Sequence, residues 1–276
     1  MGRRAVRAVP LLLGHMVWRG AHIFIVLPLL IVGAGVSTMH LLARPHLYTL
    51  VFLPLSLWIA EADRRRPTPW LWSLIPLTVL WTNLHGGWLS GAGSLAILAA
   101  GSALEAWLGE RPWRAARRLA LASGGCFAAS MLNPYGWHLH LHTAAYLGND
   151  WIKQRVQEFQ SPDFRGEVMM QFEILLFAGL LMSGILLMRK RFAEPLLLLF
   201  WAHQSLASSR HALLFVIVLL PVLAEQLALG WRAWTRGAKR NSLRGIFDGI
   251  AADSQPALRR GSALPAAAGL AVAAPL

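Results

Sequence analysis

The chain has 276 residues, 56% of them hydrophobic and only 14% charged, against roughly 25% charged in a soluble domain, so most of its length is excluded from water. Its formal charge of +13 is clustered between apolar blocks, the pattern of short membrane loops, and no nucleic-acid binding is expected. The single cysteine, Cys126, lies inside an apolar block, which excludes an internal disulfide and a cysteine metal cluster.

In chain order, residues 1–20 form a basic segment, read as cytoplasmic. It resembles the start of a secretory signal, but Trp18-Arg19-Gly20 interrupts it and no small-x-small cleavage pattern follows, so an uncleaved first span is expected. Charge clusters and Pro/Gly breaks then divide 21–229 into eight apolar blocks: 21–41, 45–60, 70–84, 88–108, 119–132, 167–188, 193–207 and 211–229. Crossing ~30 Å of hydrocarbon takes roughly 20 helical residues. The expectation is therefore an all-α polytopic membrane bundle of about eight transmembrane helices. The blocks at 70–84, 119–132 and 193–207 are short and must reach into the interface or thin the bilayer. Trp70, Trp72, Trp81, Trp88 and Trp107 lie near block ends, where indole rings favour the headgroup zone. Residues 230–276 are basic and Ala/Gly-rich with no strong periodic face, and read as a disordered tail or a surface helix.

Orientation follows from the arginine and lysine clusters. Arg3/Arg4/Arg7, Arg64/Arg65/Arg66, Arg111/Arg114/Arg117/Arg118, Arg189/Lys190/Arg191 and Arg232 through Arg240 all fall on one side of an eight-span topology. By the positive-inside rule that side is the cytoplasm of a bacterial-type inner membrane, and both termini lie there.

The opposite face receives residues of a different kind. Trp81-Thr-Asn-Leu-His-Gly-Gly87 joins two apolar helices; paired glycines permit positive φ and close backbone approach, so Asn83 and His85 can project into a cavity between helices. The plainer alternative is a tight turn capped by Asn83. Asn133-Pro-Tyr-Gly136 starts and closes a turn after a short span; Asn133 and Tyr135 serve a wet cavity or simply stop the helix and anchor it. His138 and His142 stand at i, i+4 spacing, as a metal pair or as interfacial residues. The loop 148–166 interleaves charges with Trp151, Phe159 and Phe164, as an amphipathic surface segment does. Its Glu158 and Asp163 are the candidates for acid/base or cation-holding work. Arg44-Pro-His46 and Arg210-His211 place cations on the side the topology disfavours, which calls for an anionic partner such as a phosphate.

Together, Arg44-Pro-His-Leu-Tyr-Thr, Trp81-Thr-Asn-Leu-His-Gly-Gly, Asn133-Pro-Tyr-Gly, Glu158-Phe-Gln-Ser-Pro-Asp-Phe and Ser209-Arg-His resemble a group of large bacterial membrane proteins. These in turn look similar to the GT-C class of integral-membrane glycosyltransferases, over residues 21–229. The resemblance implies transfer of a sugar from a polyprenyl-phosphate carrier to an acceptor at the periplasmic face, with inversion. It implies membrane lipids and a lipid-linked sugar donor as partners, a carboxylate as base or as holder of a divalent cation, and Arg or His groups on the carrier phosphate. Glu158 and Asp163 are then catalytic; Arg44, His46, Asn83, His85, Asn133, Tyr135, Arg210 and His211 bind substrate. GT-C proteins carry their acidic loop after the first span, whereas Thr38–Pro45 has no Asp or Glu. Either the chain is a C-terminal portion whose catalytic loop lies upstream, which is the expectation and would leave it inactive by itself, or the group does not perform this chemistry. The alternatives are a transporter or flippase for a lipid-linked or anionic solute, against which the clean middles of the spans count, and a non-catalytic assembly subunit.

Overall fold

The computed structural model describes residues 5–37, 46–166 and 169–272, with side chains described over 10–36, 46–166 and 169–260. These residues form twelve α-helices and no strand: α1 (Ala5–Trp18), α2 (Ile23–Ser37), α3 (Leu47–Arg65), α4 (Leu74–Leu84), α5 (Trp88–Trp107), α6 (Trp113–Ala129), α7 (Trp137–Gly148), α8 (Asp150–Arg155), α9 (Met169–Met188), α10 (Ala193–Ala207), α11 (Ala212–Thr235) and α12 (Leu243–Val272).

Each of the eight expected blocks contains one helix, but among the described residues three segments are long and apolar enough to cross a membrane: Trp88–Trp107, Met169–Met188 and Ser209–Thr235. The reason for the smaller number is local. Helix α4 has 11 residues, about 17 Å at 1.5 Å each; α2 and α10 have 15; α3 carries Glu61, Asp63, Arg64 and Arg65 in its last two turns.

At the centre stands α11. From Ala212 to Ala224 almost every side chain is buried, Phe215 and Leu219 completely, as expected for a helix apolar on all sides. It packs against α1, α2, α3, α9 and α10. Helix α9 buries Phe172, Leu175 and Leu186 against it and exposes Ile174, Phe177 and Leu181 on the other side, an apolar face outward as well as inward. Close approach of α5 to the start of α10 requires Gly101, because a Cβ there would overlap the backbone of Ala193; small residues at helix contacts permit this in membrane proteins.

Two segments outside the eight blocks join the core. Helix α1 buries Leu11, Leu12, Met16 and Val17 and lies against α3, α11 and α12. Helix α12 occupies the tail: Gln255 Nε2 donates to Ala21 O at 3.2 Å, and Leu258 packs on the main core.

Candidate functional site

Helix ends alternate between two polar regions. One, the rim, gathers the start of α3, the α4–α5 link and the α10–α11 link. Helix α4 stops because His85 is extended (φ −161°, ψ 141°). Gly87 donates its N–H to His85 Nδ1 at 3.1 Å, and Thr49 Oγ1 lies 2.9 Å from the same nitrogen. Trp81 Nε1 donates to Thr49 Oγ1 at 3.2 Å, leaving the threonine hydrogen for His85. Nδ1 is thus the acceptor, and the imidazole proton sits on Nε2 as a fixed donor.

The expected positive φ at the Gly pair is not found: Gly87 has φ −67°, and Gly86 is not among the positive-φ glycines either. Gly87 is required instead by proximity, since a Cβ would overlap Thr49 Oγ1 and lie 2.7 Å from His85 Nδ1.

The second wall of the rim is the short 3-10 turn Ser209–His211 between α10 and α11. Its hold on the surface loop is specific: Ser208 Oγ and Ser209 Oγ donate to Glu158 O at 2.9 and 3.2 Å, and Ser209 N donates to Gln160 O at 2.9 Å. The Arg210 guanidinium lies 3.9 Å over the Phe159 ring, with Tyr146 and Glu158 as polar neighbours. Arg210 Nε donates to His211 Nε2 at 3.3 Å, so His211 Nδ1 is left to donate to Gln204 O at 3.2 Å.

Burial draws His85 below the ordinary imidazole range, and the charges of His46 and Arg210 act in the same direction. His46, His85, Arg210, His211 and Glu158 therefore share one region. Among the described residues, Asn83, Asn133, Tyr135 and Asp163 do not join them. Asn83 donates to Val79 O and Leu132 O and ties α4 to the end of α6. Asn133 donates to Ser130 O and Gly136 O and accepts from Tyr135 N; Gly136 closes this turn with φ +50°. Tyr135 is 71% exposed. Asp163 is an exposed turn residue accepting from Arg165 N, and Arg44 lies outside the described residues. His138 and His142 are exposed on α7. No group of three or more metal-type side chains converges among the described residues, and Glu158 and Asp163 lie in different surroundings.

Because the folded protein holds His85 neutral, the unfolded chain takes up its proton first, near the ordinary value of about 6.5. Stability from this residue is complete above that pH and falls as the pH drops toward the depressed folded value. Acidification from pH 7.5 to 5.5 is expected to lower the melting temperature of the wild type more than that of His85→Asn, whose side-chain oxygen still accepts from Gly87. Equal drops would mean that His85 titrates normally.

The second polar region lies at the opposite helix ends, among the arginine clusters that set the expected orientation. There Arg64 is buried and reaches Glu194 Oε1 at 3.0 Å, Glu105 Oε2 at 3.1 Å and Ser102 Oγ at 3.1 Å. Glu105 also accepts from Phe192 N and Ala193 N at 2.8 and 3.0 Å, satisfying free donors at the start of α10. Arg19 pairs with Glu61, which also meets His15 at 2.8 Å, and with Glu225 at 2.8 Å. Arg118 bonds Asp63 at 2.8 Å. A cavity of about 30 Å³ lies among His15, Arg19, Glu61, Arg64 and Glu194, room for about one or two waters. The signal for this region was available: six of the 13 acidic residues, Glu61, Asp63, Glu105, Glu110, Glu194 and Glu225, stand beside the arginine clusters. Closed on itself by ion pairs, it holds α1, α3, α5, α10 and α11 together.

Comparison of the chain with protein-family models, curated protein sequences and solved structures finds no match.

Proposed function

We propose that the chain is an integral membrane protein of about eight spans, with both termini and its arginine clusters on the cytoplasmic side, and that its rim handles a lipid-linked sugar at the periplasmic face in the manner of a GT-C glycosyltransferase. The observation that carries this reading is that His46 and Arg210 act electrostatically on His85, and Glu158 on Arg210, at the rim where the start of α3 and the α4–α5 and α10–α11 links gather. Three segments of membrane-crossing length and composition and the outward apolar face of α9 support the setting.

The chemistry follows from the groups. Arg210 offers a planar fork of donors suited to phosphate, and His85 offers an Nε2–H whose direction is set by the Thr49–Trp81 chain. Both stabilise negative charge as it develops on a departing polyprenyl phosphate. Glu158 takes the proton from the acceptor hydroxyl. As the acceptor oxygen bonds to the anomeric carbon, the bond from that carbon to the phosphate oxygen breaks, and the carrier leaves as its phosphate. Inversion results from a single displacement.

The test is an incubation of membranes containing the chain with radiolabelled polyprenyl-phosphate sugars. Wild-type membranes are expected to discharge the carrier above an empty-vector control, and Glu158→Gln to lose roughly 10²–10⁴-fold of that rate. Identical discharge by wild type, variant and control would rule out the transferase reading.

A further inference from the structure

Away from the rim, between α2 and α11 at the arginine-rich ends, runs an open groove of about 430 Å³ lined by Phe24, Pro28, Leu227, Gly230, Trp231 and Trp234, a volume in the range of small-ligand sites. Its walls are rigid. Phe24 stacks on Trp231 at 5.8 Å and meets Phe247 of α12 edge-on at 5.6 Å, while Trp231 Nε1 donates to Asp248 at 3.0 Å.

Polar atoms without partners stand at this apolar groove. Gln226, in its lining, accepts from Arg189 through Oε1 at 2.9 Å, which fixes the amide orientation and leaves Nε2 as a buried donor with no partner. Behind the wall, His22 packs 4.3 Å from Trp231; it is 8% exposed and neither ring nitrogen is bonded. Beside the groove, residues 232–247 carry Arg232, Arg236, Lys239, Arg240 and Arg244 and no acidic residue. All five are exposed, and Arg244 lies over the Trp234 ring at 5.6 Å.

We infer that this groove binds an anionic glycerophospholipid, with an acyl chain between α2 and α11 along Phe24, Trp231 and Trp234, and Arg232 and Arg244 facing the headgroup. A lipid is chosen over a protein segment because the occupant must be apolar along the groove and negative at the end beside the exposed arginines. Basic clusters beside a membrane helix attract anionic lipids, and indole rings favour the headgroup boundary. The inference stands apart from the transferase reading, since none of its residues belongs to the rim.

Native mass spectrometry of the full chain purified in detergent tests it, with phosphatidylglycerol and phosphatidylcholine of identical acyl chains as probes. Wild type is expected to retain one phosphatidylglycerol at least about tenfold better than phosphatidylcholine. Gly230→Leu fills the groove; its Cβ meets open space and leucine is the better helix former, so the variant is expected to fold and to lose the adduct. Arg232→Gln/Arg244→Gln is expected to bring phosphatidylglycerol retention down to about that of phosphatidylcholine. Equal retention of both lipids by wild type, an undiminished adduct in Gly230→Leu, or an unchanged preference in the double variant would each overturn the inference.

Discussion

Replacing Arg64 with methionine is expected to destabilise the protein by about 3–5 kcal/mol, the range for breaking a buried ion pair from one side, and to lower its melting temperature in detergent by on the order of 10 °C. The Arg64 side chain is 3% exposed and its partners Glu105 and Glu194 are 1% and 7% exposed. Without the guanidinium, two carboxylates remain buried near each other. Glu105 keeps Phe192 N, Ala193 N and Arg111, and Glu194 keeps Arg191, which holds the loss below that of two stranded charges. The control is the next residue. Arg65, with a side chain 39% exposed, belongs to the class of pairs worth about 0–1 kcal/mol, and Arg65→Met is expected to melt close to wild type. Replacing Arg64, Glu105 and Glu194 together with Met, Gln and Gln is expected to recover part of the loss, because no carboxylate is then stranded inside and Arg191 keeps Glu225 at 3.7 Å. Comparable melting of Arg64→Met and Arg65→Met would place Arg64 in solvent.

Arg210→Ala is expected to lower transfer from a polyprenyl-phosphate sugar by about 10²–10³-fold, the usual cost of removing one preorganised donor to developing charge, while melting changes little. The second half separates binding from scaffolding. Arg210 also lies over Phe159, a contact worth about 0.5–2 kcal/mol, whereas the loop it touches is independently held by Ser208 and Ser209 on Glu158 O. Arg210→Lys keeps the charge and loses the fork of donors, so it is expected to restore part of the binding and little of the rate. Parallel loss of rate and of thermal stability in Arg210→Ala would make the residue a scaffold only.

The two ends of the molecule were unequally legible in the sequence. The positions of the eight block helices followed from the apolar runs, because charge clusters and Pro/Gly breaks leave few other places for their boundaries. Arg210 and His85 stood out because each borders such a run, where side chains of distant helices meet, and Glu158 because it is one of the carboxylates of the amphipathic loop 148–166. Tyr135, Asn133 and Asn83 also stood at breaks, yet their bonds are to local carbonyls and to Leu132 O; the same residue types that line cavities also cap turns. In Arg64-Arg65-Arg66 the sequence shows one charge cluster. Which arginine turns inward depends on the phase of α3 and on Glu105 and Glu194, 41 and 130 residues away, information no local pattern carries. For Gly87 the sequence allowed both a positive φ and a close approach; the close approach is the one found, and its partner, Thr49 on another helix, is what no local pattern carries.

Everything proposed for the rim requires that the two polar ends face opposite sides of a membrane. Single cysteines at exposed Gly86, in the α4–α5 link, and at exposed Glu110, in the α5–α6 link, read this directly, because the native Cys126 is buried. In intact cells a membrane-impermeant maleimide is expected to label Gly86→Cys at once and Glu110→Cys only after permeabilisation. Labelling of both from outside, or of Glu110→Cys alone, would contradict the account.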